Sequence, residues 1–176
     1  METKDNFNIV LVGMPGAGKS YIGGKLAKLL AHFTYVDTDN EIEKSTGLTV
    51  CEIFEQHSEQ YFRKLENKII KEFSQTRNHI ISIGGGAFEN PENIKLLSQN
   101  GFTFYLRTPA KELFRRIENE THRPLLKEDS PQQIIEKLLI KREKNYFKAN
   151  FVIDTYQKQA YTILDDILRE YENYVR

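Results

Sequence analysis

Only one cysteine, Cys51, occurs in 176 residues, so no internal disulfide can form. That fits a reducing compartment. No sign of charge prevails, since Lys+Arg and Asp+Glu both number 25. A general field for nucleic acid or an anionic membrane is therefore missing, and any anion must be bound by a local site. No apolar stretch approaches the roughly 18 residues of a membrane span, and the first residues, Met1-Glu2-Thr3-Lys4-Asp5, are polar. The expectation is a soluble, unexported, cytoplasmic protein. His32, His57, His79 and His122 are scattered without metal-ligand spacing. A structural zinc site is not expected, and any metal should arrive with phosphate. Internal repeats, low-complexity tracts and Gly/Ser linkers are also missing, and the length suits one domain over residues 1–176.

The chain does contain Gly13-Met14-Pro15-Gly16-Ala17-Gly18-Lys19-Ser20, a G-x-x-x-x-G-K-S sequence directly after the apolar run Ile9-Val10-Leu11-Val12. The run reads as a buried strand, and Ser20–Leu30 carries Ile22, Leu26, Leu29 and Leu30 at helical spacing. A glycine-rich loop between strand and helix lets several backbone N–H groups point at one anion, and the helix N-terminus adds partial positive charge. Lys19 would contact the β- and γ-phosphates of a nucleotide, and Ser20 would ligate Mg²⁺.

Strands are expected near Asn8–Val12, Thr34–Asp37, Ile80–Ile83, Thr103–Leu106 and Phe151–Ile153, alternating with amphipathic segments. That alternation predicts a parallel sheet covered by helices. Asn90-Pro91, Thr108-Pro109 and Ser130-Pro131 each read as a capping residue followed by proline at the first helical position. The polar stretch Asn119–Ser130 reads as a mobile surface segment.

Four further groups could carry chemistry. Asp37-Thr38-Asp39 follows the second strand, on the same rim as the phosphate loop in a doubly wound sheet. One carboxylate can hold Mg²⁺ or its waters and the other can orient a hydroxyl; alternatively Asp39 caps the next helix. Arg63 lies in a helical segment Ser58–Gln75 with Glu59 four residues before it and Glu66 three after, a spacing equally suited to an exposed ion-pair ladder. Gly84-Gly85-Gly86 ends the third strand, as a tight turn or a place where ligand meets backbone N–H groups. Arg123-Pro124-Leu125-Leu126 follows Arg115 and Arg116 and suits a closing lid, or a solvated loop arginine; Arg142, in the segment Pro131–Tyr146, reads by itself as an ordinary helix residue.

Together, the phosphate loop, Asp-x-Asp, Phe-Arg-x-x-Glu (Phe62 to Glu66), Gly-Gly-Gly, Arg-Pro-Leu-Leu and Arg142-x-x-x-Tyr146 resemble the shikimate kinase family over nearly the whole chain. The resemblance implies a P-loop α/β/α domain of the nucleoside-monophosphate-kinase type, with a five-stranded parallel sheet in order 2-3-1-4-5 and a mobile lid over about 117–130. It implies transfer of the γ-phosphoryl of ATP to the 3-hydroxyl of shikimate, with Mg²⁺. Carried over by position, Gly13, Gly16, Ala17, Gly18, Lys19, Ser20 and Tyr21 would bind nucleotide, with Arg116 against adenine and Arg123 as the lid arginine. Gln157 and Lys158 fall near the expected adenine pocket. Ser20 and Asp37 would serve the metal, and Asp39, Lys19 and Arg123 the chemistry. Asp39, Arg63, Gly84, Gly85, Gly86 and Arg142 would bind shikimate. The partners implied are small molecules alone, with no nucleic acid or membrane, and a monomer.

A kinase of the same fold could instead take gluconate or a nucleoside monophosphate. Arg63, Gly84–Gly86 and Arg142 together favour a compact wall for a carboxylate, and no base slot stands out. A silent nucleotide-binding module should lack Lys19, Asp39 or Arg123, and all three are present.

Overall fold

The computed structural model describes residues 7–118 and 131–175. Its core is a parallel sheet of β1 (Asn8–Val12), β2 (Thr34–Asp37), β3 (His79–Ser82), β4 (Gly101–Arg107) and β5 (Phe151–Asp154) in the order β2-β3-β1-β4-β5. Every residue of β1 is buried, as expected of a central strand covered on both faces. It pairs with β3 on one side, Ile9 opposite Ile80, and with β4 on the other, Val10 opposite Thr103. The strand order reverses at β1, so the crevice beyond its carboxyl end is open to a ligand.

The helices are α1 (Lys19–Leu29), α2 (Thr38–Thr46), α3 (Val50–Gln56), α4 (Glu59–Ser74), α5 (Pro91–Asn100), α6 (Ala110–Ile117), α7 (Pro131–Tyr146) and α8 (Ala160–Val175), with a short 3₁₀ turn at Ala87–Glu89. None among the described residues is long and apolar enough to cross a membrane. The main apolar core runs along both faces of the sheet, from Ile9 and Leu11 to Leu113, Ile135 and Ile167. Ile42, Ile53, Phe62 and Ile69 form a smaller cluster that ties α2, α3 and α4 together beside the β2 rim. It makes a firm base for whatever α2 and α4 present to the crevice.

The local signals mostly act as expected. Ser58 caps α4 by accepting from the Tyr61 amide, and Asn90 caps α5 with Pro91 at its first position. Two helix starts differ. Thr108 does not cap α6; its hydroxyl is buried 2.6 Å from that of Thr155, tying the ends of β4 and β5, while Pro109 takes the capping position. The cap of α2 is Asp37, not Asp39: its Oδ1 accepts from the Asp39 amide at 3.2 Å. Strand and helix are contiguous here, so the last strand residue does the capping and Asp39 faces other groups. Ser130 and most of the expected lid lie outside the described residues.

Candidate active site

The phosphate loop leaves β1 with Gly13, Gly16 and Gly18 at φ 145°, 83° and 92°, backbone that side chains with a Cβ rarely adopt. At Gly16 a Cβ would also lie 2.8 Å from Ile117 Cγ2. The Ala17 amide bonds the Met14 carbonyl at 3.1 Å, closing the loop on itself. Lys19 Nζ reaches back across it to the carbonyls of Gly13 at 2.9 Å and Met14 at 3.1 Å. Its ammonium therefore already lies over the curl of the loop. Arg116 donates to the Gly16 carbonyl at 3.3 Å while Glu112 holds its Nε at 2.8 Å, which fixes this guanidinium on the outer side of the loop.

Asp37 connects that loop to the second strand. Its Oδ2 accepts from Ser20 Oγ at 2.8 Å and from the Tyr35 hydroxyl at 3.1 Å. Tyr35 can reach because its ring lies against Gly23 of α1, in space that a Cβ would fill. Ser82 Oγ is buried beside them without a hydrogen-bond partner. Sequence reasoning missed Tyr35 and Ser82. Their only signal is position, two residues before Asp37 and two before Gly84.

Thr38, fully buried, accepts the Gly84 amide on its Oγ1 at 3.1 Å, joining the Asp-x-Asp corner to the glycine turn. Each glycine of that turn then meets a different neighbour. A Cβ on Gly84 would lie 2.8 Å from Glu66 Oε1 and 2.9 Å from Asp39 Oδ1; one on Gly85 would lie 2.7 Å from Pro15 Cδ; one on Gly86 would run into the Arg63 guanidinium. The amides of Gly85 and Gly86 have no protein acceptor among the described residues.

Arg63 is not an exposed ladder residue. Glu59 holds its Nε and Nη2 at 3.3 and 3.1 Å, and Glu66 accepts from Nη1 at 2.8 Å. The side chain of Glu66 is only 1% exposed, whereas that of Glu59 is 67% exposed. Glu66 Oε1 and Asp39 Oδ1 are both buried and unpartnered. A buried oxygen in that state either takes a proton or awaits a donor from a ligand. Burial pushes the Glu66 carboxyl up to about 7 against the pull of Arg63. Burial, followed by the charge of Asp37, also raises Asp39, with Lys19 and Arg63 opposing. These two carboxyls are thus poised to accept protons, a common mark of functional sites.

From the other side α7 brings Arg142 and, one turn later, Tyr146. The buried Tyr146 hydroxyl donates to the Gly85 carbonyl at 2.5 Å. Arg142 Nε donates to Glu89 Oε1 at 2.7 Å. One cleft of about 1240 Å³ holds Lys19, Ser20, Asp37, Asp39, Arg63 and Arg142 in its wall, with Tyr21, Gly84–Gly86 and Arg116. Gly13 and Ala17 lie behind the loop surface, outside the wall. Gln157 and Lys158 also stand apart from it; Gln157 turns the chain at φ 57°, and Lys158 is paired with Asp166 at 2.9 Å. Arg123 lies outside the described residues. Glu89, which the sequence did not single out, is in the wall as well.

The cleft can therefore bind polyphosphate at one end and a small carboxylate-bearing acceptor at the other. The family model for shikimate kinase matches residues 15–172. A shikimate kinase of Caldanaerobacter subterraneus subsp. tengcongensis is 41% identical over 164 residues, covering 93% of this chain and 95% of that protein. The solved shikimate kinase of Acinetobacter baumannii in complex with shikimate superposes with a TM-score of 0.90 at 35% identity, over 96% of this chain and 94% of that one. That of Aquifex aeolicus gives 0.82 at 33% identity, over 96% and 98%. With a phosphate loop, an acidic rim and paired guanidinium groups on one sheet of the same strand order, this chain belongs to the shikimate kinase family.

Proposed function

We propose that this protein transfers the γ-phosphoryl group of ATP to the 3-hydroxyl of shikimate, giving shikimate 3-phosphate and ADP on the route to chorismate and the aromatic amino acids. The observation that carries the reading is the shared cleft. Two guanidinium groups, Arg63 and Arg142, stand in one wall with the phosphate-loop Lys19 and the carboxyl of Asp39. A planar carboxylate suits guanidinium forks, which donate two parallel bonds.

In this reading Arg63 and Arg142 bind the acceptor carboxylate, and the free amides of Gly85 and Gly86 contact the acceptor ring substituents. The 3-hydroxyl donates to Asp39, whose raised proton affinity suits it to take that proton. The hydroxyl oxygen bonds to the γ-phosphorus as the bond to the β,γ-bridging oxygen breaks, and ADP leaves with that electron pair. Lys19 moves from the Gly13 and Met14 carbonyls to the phosphate oxygens. Gly16, Gly18 and Tyr21 line the nucleotide end, with Arg116 beside the base. Arg123 supplies further positive charge. Such transfer depends mostly on positioning and charge neutralisation.

Ser20 Oγ and Asp37 Oδ2, 2.8 Å apart at the mouth of the loop, are hard oxygen donors of the kind Mg²⁺ takes. No cluster of three His, Cys, Asp or Glu able to hold a metal occurs among the described residues, so phosphate oxygens and water would complete the shell. Ser20 and Asp37 would hold Mg²⁺, which when bound neutralises charge on the transferring phosphates. We read residues 1–176 as one domain acting as a cytoplasmic monomer on small molecules, without nucleic-acid or membrane partners. The equal numbers of acidic and basic residues support this reading.

The test is ADP release from Mg·ATP with shikimate, gluconate, nucleoside monophosphates or no acceptor. Stimulation by shikimate alone is expected. Turnover on another acceptor in its place would remove the substrate assignment, and silence with all of them would favour a regulatory nucleotide-binding module.

A further inference from the structure

The two arginines of the acceptor wall are held in different ways. Arg63 has a carboxylate on each of its three nitrogens, from Glu59 and Glu66. Arg142, with only 12% of its side chain exposed, has its Nε taken by Glu89, and its two terminal nitrogens carry no carboxylate among the described residues. A guanidinium bonded through its Nε is restrained about its stem, and with no carboxylate on its Nη pair it can still take one from a ligand.

Glu89 is itself well fixed. Its amide bonds the Gly86 carbonyl at 3.0 Å within the 3₁₀ turn, and its second oxygen, Oε2, receives Lys141 Nζ at 3.0 Å. Both carboxylate oxygens are therefore occupied, each by a different cation of α7. Burial raises the proton affinity of Glu89, but the bonds from Lys141 and Arg142 win and hold its carboxyl below the ordinary range. The same turn is tied to α7 a second time by the Tyr146 hydroxyl on Gly85. Glu89 and Tyr146 thus lock the helix that carries Arg142 onto the turn that offers the Gly85 and Gly86 amides.

We infer that Glu89 is a positioning residue for acceptor recognition: it orients Arg142 so that the open face of the guanidinium meets the acceptor carboxylate. The inference rests on the functional reading above. It concerns the carboxylate alone, so Glu89 should control how strongly the enzyme prefers an ionised acid over its neutral ester. A residue that only stabilised the fold would affect both acceptors equally.

The experiment compares the parent enzyme with Glu89→Gln and Glu89→Ala, using shikimate and its methyl ester at saturating Mg·ATP. Glu89→Ala is expected to raise the KM for shikimate about tenfold or more, with KM for ATP unchanged. Glu89→Gln, whose amide oxygen can still accept from Arg142 Nε, should fall between parent and Glu89→Ala. The methyl ester should lose no more than about threefold in kcat/KM, so the preference for the acid shrinks. Equal losses for acid and ester would overturn the inference in favour of a structural role. An unchanged or lowered KM for shikimate would overturn it too, the latter because Glu89 would then merely compete for Arg142. A parent enzyme without shikimate turnover would remove the underlying reading; a parent that turns over shikimate, matched by both variants, would remove only the role of Glu89.

Discussion

Asp39 and Glu66 each keep one carboxylate oxygen buried and unpartnered against the same glycine, an arrangement that costs stability unless a proton or ligand relieves it. Glu66 shows the consequence most clearly, with a carboxyl raised to about 7 mainly by burial. The native state then binds a proton on Glu66 that the unfolded chain has already released, over the window from the ordinary carboxylate value up to about 7. Stability from this group falls as pH rises through that window. Glu66→Gln has no charge to bury. The melting temperature of Glu66→Gln relative to the parent should therefore shift in the variant's favour between about pH 5 and pH 8. A difference that stays flat, or moves the other way, would mean that the Arg63 pair outweighs burial. The sequence showed Glu66 as one rung of a possible surface ladder, because i,i+3 spacing says which residues adjoin and nothing about which are buried. Burial of this carboxylate depends on the glycine turn arriving from β3, 18 residues further on.

At the scale of elements, the turn Gly84–Gly86 joins the two halves of the cleft. Gly85 abuts the ring of Pro15 in the phosphate loop, and Gly86 abuts the Arg63 guanidinium at the acceptor end. Alanine at 86 meets the far end of a flexible side chain, and its backbone, at φ −91°, is ordinary. The fold should survive Gly86→Ala with a cost within about 1 kcal/mol while Arg63 is pushed aside. Alanine at 85 meets a rigid ring instead. Gly86→Ala is thus expected to weaken acceptor binding about tenfold and leave ADP affinity nearly intact, and Gly85→Ala to weaken ADP binding; calorimetric titration with each ligand distinguishes them. The same pattern of loss in both variants would contradict this division. Elements such as α4, bounded by the Ser58 cap and Gln75, and β1 with its apolar run Ile9–Val12 were legible because local rules determine them. Thr108-Pro109 misled, and Asp37-Thr38-Asp39 left two readings of Asp39 open. The Thr155 hydroxyl, a tertiary partner, takes Thr108, and the direct passage from β2 into α2 makes Asp37 the cap and frees Asp39.

For the whole molecule, the order β2-β3-β1-β4-β5 sets the carboxyl ends of β1, β2 and β3 side by side, so loops far apart in sequence share one rim. The parallel sheet and the shared rim followed from the alternation of strand and helix signals together with the phosphate loop, whereas the strand order was implied by the resemblance to the shikimate kinase family. The contribution of α7 did not, because Arg142 is unremarkable within its own helix and gains its place from its bond to Glu89 and from the bond of Tyr146, one turn on, to Gly85, both more than fifty residues away. The central claim is that guanidinium groups on one side of this cleft recognise the acceptor independently of the nucleotide on the other. It is tested most directly by kcat/KM for shikimate and Kd for ADP, measured side by side in the parent and in Arg63→Ala. Removing a guanidinium from a desolvated carboxylate costs about 2–5 kcal/mol, so kcat/KM should fall roughly 30-fold to several-thousand-fold while Kd for ADP stays within about twofold. A fall of less than about threefold, the scale of an exposed ion pair, or a parallel loss of ADP affinity would contradict the account.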